Sequence, residues 1–217
     1  MNKPIAIGVS VLEWSKTHMY DFYYDVMKEK YGDQIHMHYT DTDSLFLRIE
    51  TEDLYRDIAG DLEMATHLDL SNYKDTHPLF TQFGNKDELM KIKSENKAVF
   101  GKFKDENAGG IINEMCFIKA KMYSFTKEGD TKATFKAKGV KKSAMKELTH
   151  DRYRKCLLSA ERQDRVMDTT FYRISCKNHE LATIKQTKRA LSHYDDKRHY
   201  MNALQSLAHG HYKICTK

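Results

Sequence analysis

Residues 39–44 read Tyr39-Thr40-Asp41-Thr42-Asp43-Ser44, and an alternating run flanks them on each side. Upstream, Ile35-His36-Met37-His38-Tyr39 alternates apolar and polar side chains, and downstream Leu45, Leu47 and Ile49 alternate with Phe46 and Arg48. A period of two marks a strand, so the spacing predicts two antiparallel strands joined by the acidic tip. On an extended backbone, Asp41 and Asp43 lie two residues apart and present both carboxylates to one face. Paired carboxylates repel each other unless a cation sits between them. Donors that are all oxygen suit a hard divalent ion, Mg²⁺ or Mn²⁺. An Asp-x-Asp turn also has an ordinary explanation, because aspartates hydrogen-bond to the backbone of tight turns.

Around this stretch lies a chain of 217 residues, 40% hydrophobic and rich in aromatics, enough for one sizeable domain or two small ones with a core. Cys116, Cys156, Cys176 and Cys215 are widely spaced, with no Cys-x-x-Cys pair. They read as reduced thiols of an intracellular protein. No apolar run is long enough to span a bilayer, so no membrane partner is expected. The net charge of +5 is unevenly spread. Residues 1–85 carry 7 Lys+Arg against 15 Asp+Glu, residues 86–146 carry 15 against 8, and residues 147–217 carry 14 against 8. An acidic segment bearing the metal candidates thus precedes a basic remainder, as a polyanion-binding protein with a cation site would have it.

Val11, Leu12, Ser15, Met19, Phe22, Val26 and Met27 recur at helical steps and predict a buried helix over about residues 8–30, ended by Gly32-Asp33. A second amphipathic helix is expected from Glu52 to about Thr66, with Leu54, Ile58, Leu62 and Met64 inside. Residues 68–84 are turn-rich and read as a surface excursion, and residues 96–103 as a short strand. Strand-like pieces follow over 111–125, joined near Lys119-Ala120, then a polar turn at Gly129-Asp130. Lys136-Ala137-Lys138-Gly139-Val140-Lys141-Lys142 holds four lysines and no acid. Its lysines can displace counterions from a polyphosphate while Gly139 lets the backbone approach; a solvated basic face is the plainer account. A helix is expected over 149–163, short strands over 167–187, a cap at Asp195-Asp196-Lys197-Arg198, and a last helix carrying Met201, Leu204 and Leu207. His36, His38, His77, His209 and His211 lack a partner cluster and read as solvated or packed.

The string at 39–44, set between two apolar strands, resembles motif C of the family B DNA polymerases, the Tyr-x-Asp-Thr-Asp-Ser hairpin of the palm. Thr40 stands where the family usually has a small residue, and a strand accepts it. Lys121-Met122-Tyr123 resembles the family's Lys-x-Tyr motif, which grips the primer strand. The basic run with Lys136, Lys138, Lys141 and Lys142 resembles the palm-to-thumb crossing of protein-primed polymerases. The segment from Lys3-Pro4-Ile5 through Met19-Tyr20-Asp21-Phe22 is similar to the region before motif C in polymerases of mobile elements and their viral relatives.

The resemblance implies an α+β fold. A partial polymerase palm (an antiparallel sheet with packed helices) would cover residues 1–138, and a small thumb subdomain residues 139–217. It implies nucleotidyl transfer from deoxynucleoside triphosphates to the 3′ end of a DNA template-primer with Mg²⁺ or Mn²⁺. Asp43 would be the direct ligand and Asp41 a partial one, framed by Tyr39, Thr40, Thr42 and Ser44. Neither the Asp-x-x-Ser-Leu-Tyr-Pro string of motif A nor the Lys-x-x-x-Asn-Ser-x-Tyr-Gly string of the fingers occurs here. The expectation is therefore a C-terminal polymerase fragment, inactive alone. Its partners would be upstream polymerase domains and, in the protein-primed branch, a terminal protein. Two alternatives stand beside it: a non-catalytic nucleic-acid-binding remnant of a mobile element, and a metal-dependent glycosyltransferase using Asp-x-Asp for a sugar diphosphate.

Overall fold

The alternation on either side of residue 42 becomes a hairpin in the computed structural model, which describes residues 3–159, 161, 164–194, 198–202 and 205–214. Strand β1 (Ile35–Asp41) pairs antiparallel with β2 (Ser44–Ile49), Asp41 facing Ser44 and Ile35 facing Ile49. The register shifts between Met37 and Tyr39, so His38 is the extra residue of a bulge. The chain is mixed α+β and divides into two compact units, Met1–Gly110 and Ile111–Lys217. Residue 139, where the thumb was expected to begin, lies inside the second unit.

In the first unit, helix α1 (Ile5–Asp21) widens into a π-helical stretch, Phe22–Lys28, and closes as α2 (Glu29–Tyr31). Only the C-terminal part of the expected buried helix packs. Met19, Phe22, Tyr23, Met27 and Tyr31 are buried, whereas Val11 and Leu12 are exposed. Phe22 stacks on Phe103 with ring centroids 3.8 Å apart. The single helix expected over 52–66 is two, α3 (Leu54–Gly60) and α4 (Leu62–Thr66). Asp61 leaves the helical region (φ −131°), and its carboxylate accepts from the Met64 amide, so it starts a new helix instead of continuing the old one.

Residues 68–84 are no surface excursion. Leu70, Tyr73, Leu79 and Phe80 are core residues, the last two carried by α5 (Pro78–Thr81). Helix α6 (Lys86–Glu95), which the sequence pattern did not reveal, adds the fully buried Leu89. The strand expected over 96–103 is a series of turns, with one isolated parallel bridge between Leu68 and Phe103. Side-chain bonds replace a ladder here. Asp69, 4% exposed, accepts from the Ser71 and Ala98 amides and pairs with Lys104 at 2.9 Å.

The second unit is built on a three-stranded antiparallel sheet, β3 (Ile112–Lys119), β4 (Met122–Lys127) and β5 (Thr134–Ala137), in that order. Helix α7 (His150–Leu158) closes its inner face, capped by the Thr149 hydroxyl, which accepts from the Arg152 amide. It ends at Leu158, short of the expected 163. Cys116, Met122, Ala137, Leu148, Tyr153 and Cys156 form the core with Ala190 and Leu191. In place of short pieces over 167–187 stands one long ribbon, β6 (Val166–Lys177) paired with β7 (Glu180–Ser192). The helix expected near 201–207 is instead a small hairpin, β8 (Arg198–Tyr200) with β9 (Ser206–Ala208). Asp195, Asp196, Lys197, Leu204 and Cys215 lie outside the described residues.

Candidate functional site

The acidic tip is tighter than an extended chain. Thr42 has φ 59°, and the Asp43 amide donates to the Asp41 carbonyl at 2.7 Å, the bond pattern of a γ-turn. The expectation that strand alternation aligns the two carboxylates is therefore replaced. Asp41 closes β1, and Asp43 projects from the turn itself. The reason is geometric, since so short a connection needs positive φ at its centre. The Thr42 hydroxyl donates to Asp41 Oδ1 and the Ser44 hydroxyl to the Asp41 carbonyl, each at 3.3 Å. Below the tip, Tyr39 meets Phe46 edge-on across the pair, ring centroids 5.8 Å apart, which stiffens the stem.

Asp41 is half-buried and Asp43 exposed, and both offer carboxylate oxygens. That donor set fits a hard ion such as Mg²⁺ and offers nothing to a soft one.

The second group of predicted residues gathers on the other unit. Met122 faces Ala137 and Tyr123 faces Lys136 across β4 and β5, while the Lys138 amide donates to the Lys121 carbonyl at 3.0 Å. Two motifs about fifteen residues apart in sequence thus share one end of one sheet. Lys121 was expected on a strand; it occupies the β3–β4 turn with φ 59°, and only Tyr123 belongs to β4. Because Met122, Ser124 and Ala137 face the core, alternation puts Tyr123 and Lys136 on the outer face. There Tyr123 lies 5.8 Å from Phe117 and 6.4 Å from Phe125, centroid to centroid, and Lys127 Nζ sits 5.8 Å from the Phe125 ring. Phe125 is itself buried, so the half-buried Phe117 and Tyr123 rings beside the exposed Lys136 are what this face offers a nucleic-acid strand.

Lys136, Lys138, Lys141 and Lys142 are all exposed. They do not act alike. Lys141 Nζ donates to the Tyr172 carbonyl of the ribbon at 2.6 Å, so its ammonium fastens the segment after β5 to β6. Gly139 takes φ 88°, and its carbonyl accepts from Lys188 Nζ at 3.1 Å. A Cβ at that position would meet the same nitrogen at 3.0 Å. Lys188 is the addition that sequence reasoning missed, because only the pairing of β6 with β7 brings it 49 residues back along the chain. From the helix side, the Tyr153 hydroxyl donates to the Lys136 carbonyl at 2.9 Å. Burial pushes the Tyr153 phenol well above its usual range, so it remains a donor.

Charge divides along the same line. The first unit carries 13 Lys+Arg against 20 Asp+Glu, the second 23 against 11. No helix among the described residues is long and apolar enough to cross a membrane. No family model, no curated protein and no solved structure matches this chain.

Proposed function

We propose that the chain is the C-terminal palm and thumb portion of a DNA-directed DNA polymerase of family B type. In this proposal the unit Ile111–Lys217 holds the DNA template-primer, and the Asp41-Thr42-Asp43 tip contributes to the metal site where nucleotides are joined. The observation that carries it is the convergence of Tyr123 and Lys136, paired on neighbouring strands, with Lys121 and Lys138, bonded to each other at the adjoining strand ends of the basic unit. Two strings picked out separately for one task, contact with a phosphate backbone, come to one place.

Each part has a chemical role. Lys136 and Lys138 neutralise phosphates and release counterions. Tyr123 offers a flat face and a hydroxyl beside them, and Tyr153 fixes the height of the strand that carries Lys136. Asp43, with Asp41 as its neighbour, would hold Mg²⁺. When bound, the ion lowers the pKa of a primer hydroxyl and offsets charge on the phosphate under attack. The motif A carboxylate and the fingers residues that complete such a centre would come from outside these 217 residues.

The test is binding of a labelled template-primer followed by fluorescence anisotropy across a salt series, together with Mn²⁺-induced broadening of amide signals. The expected result is steeply salt-dependent DNA binding, and broadening centred on residues 39–44 that vanishes in Asp43→Asn. DNA binding with no metal effect at the tip would favour a non-catalytic nucleic-acid-binding protein. Absence of both would overturn the proposal.

A further inference from the structure

On the inner face of the three-stranded sheet, away from Tyr123 and Lys136, three different metal-binding side chains meet. Glu114 and Cys116 are two apart on β3 and share a face, and His150 is the first residue of α7. One carboxylate oxygen, the Cys116 Sγ and one ring nitrogen of His150 all lie within 4.8 Å of one another. The ring is held from behind, since Ser124 Oγ is 2.8 Å from Nδ1. At the front, Nε2 lies 3.3 Å from Glu114 Oε2, is shut off from solvent, and makes no hydrogen bond. The other oxygen of Glu114 is held by Arg154 Nε at 2.9 Å.

A ring nitrogen closed to solvent that makes no hydrogen bond, 3.3 Å from a carboxylate oxygen and on a ring clustered with a sulfur, is a place for a cation. Nucleophilic chemistry is the competing account, because Ser124, His150 and Glu114 form a chain of the triad kind. It fails on access: Ser124 is 0% exposed and Cys116 3%, so no substrate reaches either atom. Glu114, half-exposed at the rim, gives an ion a way in. We infer that Glu114, Cys116 and His150 form a site for a borderline-soft divalent ion, Zn²⁺ by the mixture of oxygen, sulfur and nitrogen donors. Ser124 and Arg154 are its positioning residues, orienting the imidazole and the carboxylate as outer-shell groups do. Three protein donors leave a fourth position for water. On binding, the Sγ–H bond of Cys116 breaks, its proton passes to solvent, and the sulfur lone pair forms the bond to the metal. The ion would tie β3 to α7 and so brace the sheet. The site shares no residue with the acidic tip and stands or falls independently of the polymerase proposal.

The test uses the full chain, freed of metal and titrated with Co²⁺ and then Zn²⁺. One equivalent of Co²⁺ should raise a thiolate-to-cobalt charge-transfer band that Zn²⁺ abolishes. Cys116→Ser should lose the band, while Cys176→Ser, at an exposed thiol, should keep it. His150→Ala and Glu114→Gln should each weaken Co²⁺ at least about tenfold, and Ser124→Ala about tenfold. Should Cys116→Ser fail to fold by circular dichroism, the melting temperature of the unmodified chain provides the check. Zn²⁺ should raise it, and Glu114→Gln should remove the rise. A missing charge-transfer band, or one that persists in folded Cys116→Ser, overturns the site.

Discussion

Thr42 holds φ 59° with a branched Cβ, a conformation that crowds its side chain against its own backbone. Such strain costs on the order of 1–3 kcal/mol and persists where something else requires it. Thr42→Gly is therefore expected to stabilise the protein by about 1 kcal/mol in urea unfolding, the relief exceeding the added chain entropy. Asp69 presents the opposite situation. Burial opposes its charge, but the Lys104 ammonium and bonds from Ser71 and Ala98 outweigh burial and hold the carboxyl well below the usual range. A carboxyl depressed on folding stabilises fully above its unfolded pKa of about 3.9, and that contribution fades as pH falls from there towards the folded value. Unfolding followed from pH 7 downward should show this acid-side loss, and Asp69→Asn should flatten it. Asp69→Ala is expected to cost about 2 kcal/mol at neutral pH, since it orphans two amides. Tyr153→Phe should cost roughly 1 kcal/mol by leaving the Lys136 carbonyl without its donor.

Among the elements, the outer face of β4 and β5 carries the sharpest prediction about binding. Replacing Lys136 and Lys138 together by alanine should weaken template-primer binding for every DNA sequence alike. The slope of log affinity against log salt should fall by about 2, because each lysine accounts for roughly one released counterion. The β1–β2 hairpin was legible in the sequence because one side of it is buried and the alternation records that burial. The β6–β7 ribbon was legible only as short strands, because Tyr172, Ile174 and Leu181 are exposed and leave no one-sided apolar pattern from which its full length could be read. Residues 68–84 misled for a different reason. Their turn residues are real, but Leu70, Leu79 and Phe80 pack inward between the turns, held by side chains such as Asp69 rather than by a ladder. The split at Asp61 follows from one capping carboxylate overriding an otherwise continuous apolar stripe. At the candidate site, the tip and the four lysines of 136–142 could be named from sequence. That Lys141 and Lys188 serve carbonyls could not, because those bonds depend on pairing far along the chain.

For the molecule as a whole, two cores lie in two units whose charge balances are opposed, the first acidic and the second basic. If the polymerase proposal holds, the purified chain with Mg²⁺, a template-primer and all four deoxynucleoside triphosphates should yield no extended product. It should nevertheless bind the same template-primer. An extended product would show that the catalytic carboxylates are complete within these residues. Finally, the ribbon is a two-stranded sheet, so among the described residues each long strand has only one neighbour in its sheet. Rims of that kind can template copies of themselves, and the deterrent here is electrostatic: Arg173, Lys177, Lys185, Lys188 and Arg189 outnumber Asp168 and Glu180. Salt shortens the reach of that repulsion to about 3 Å at 1 M. Concentrated solutions should accordingly be clearest at low ionic strength, with precipitation on salting starting at the ribbon.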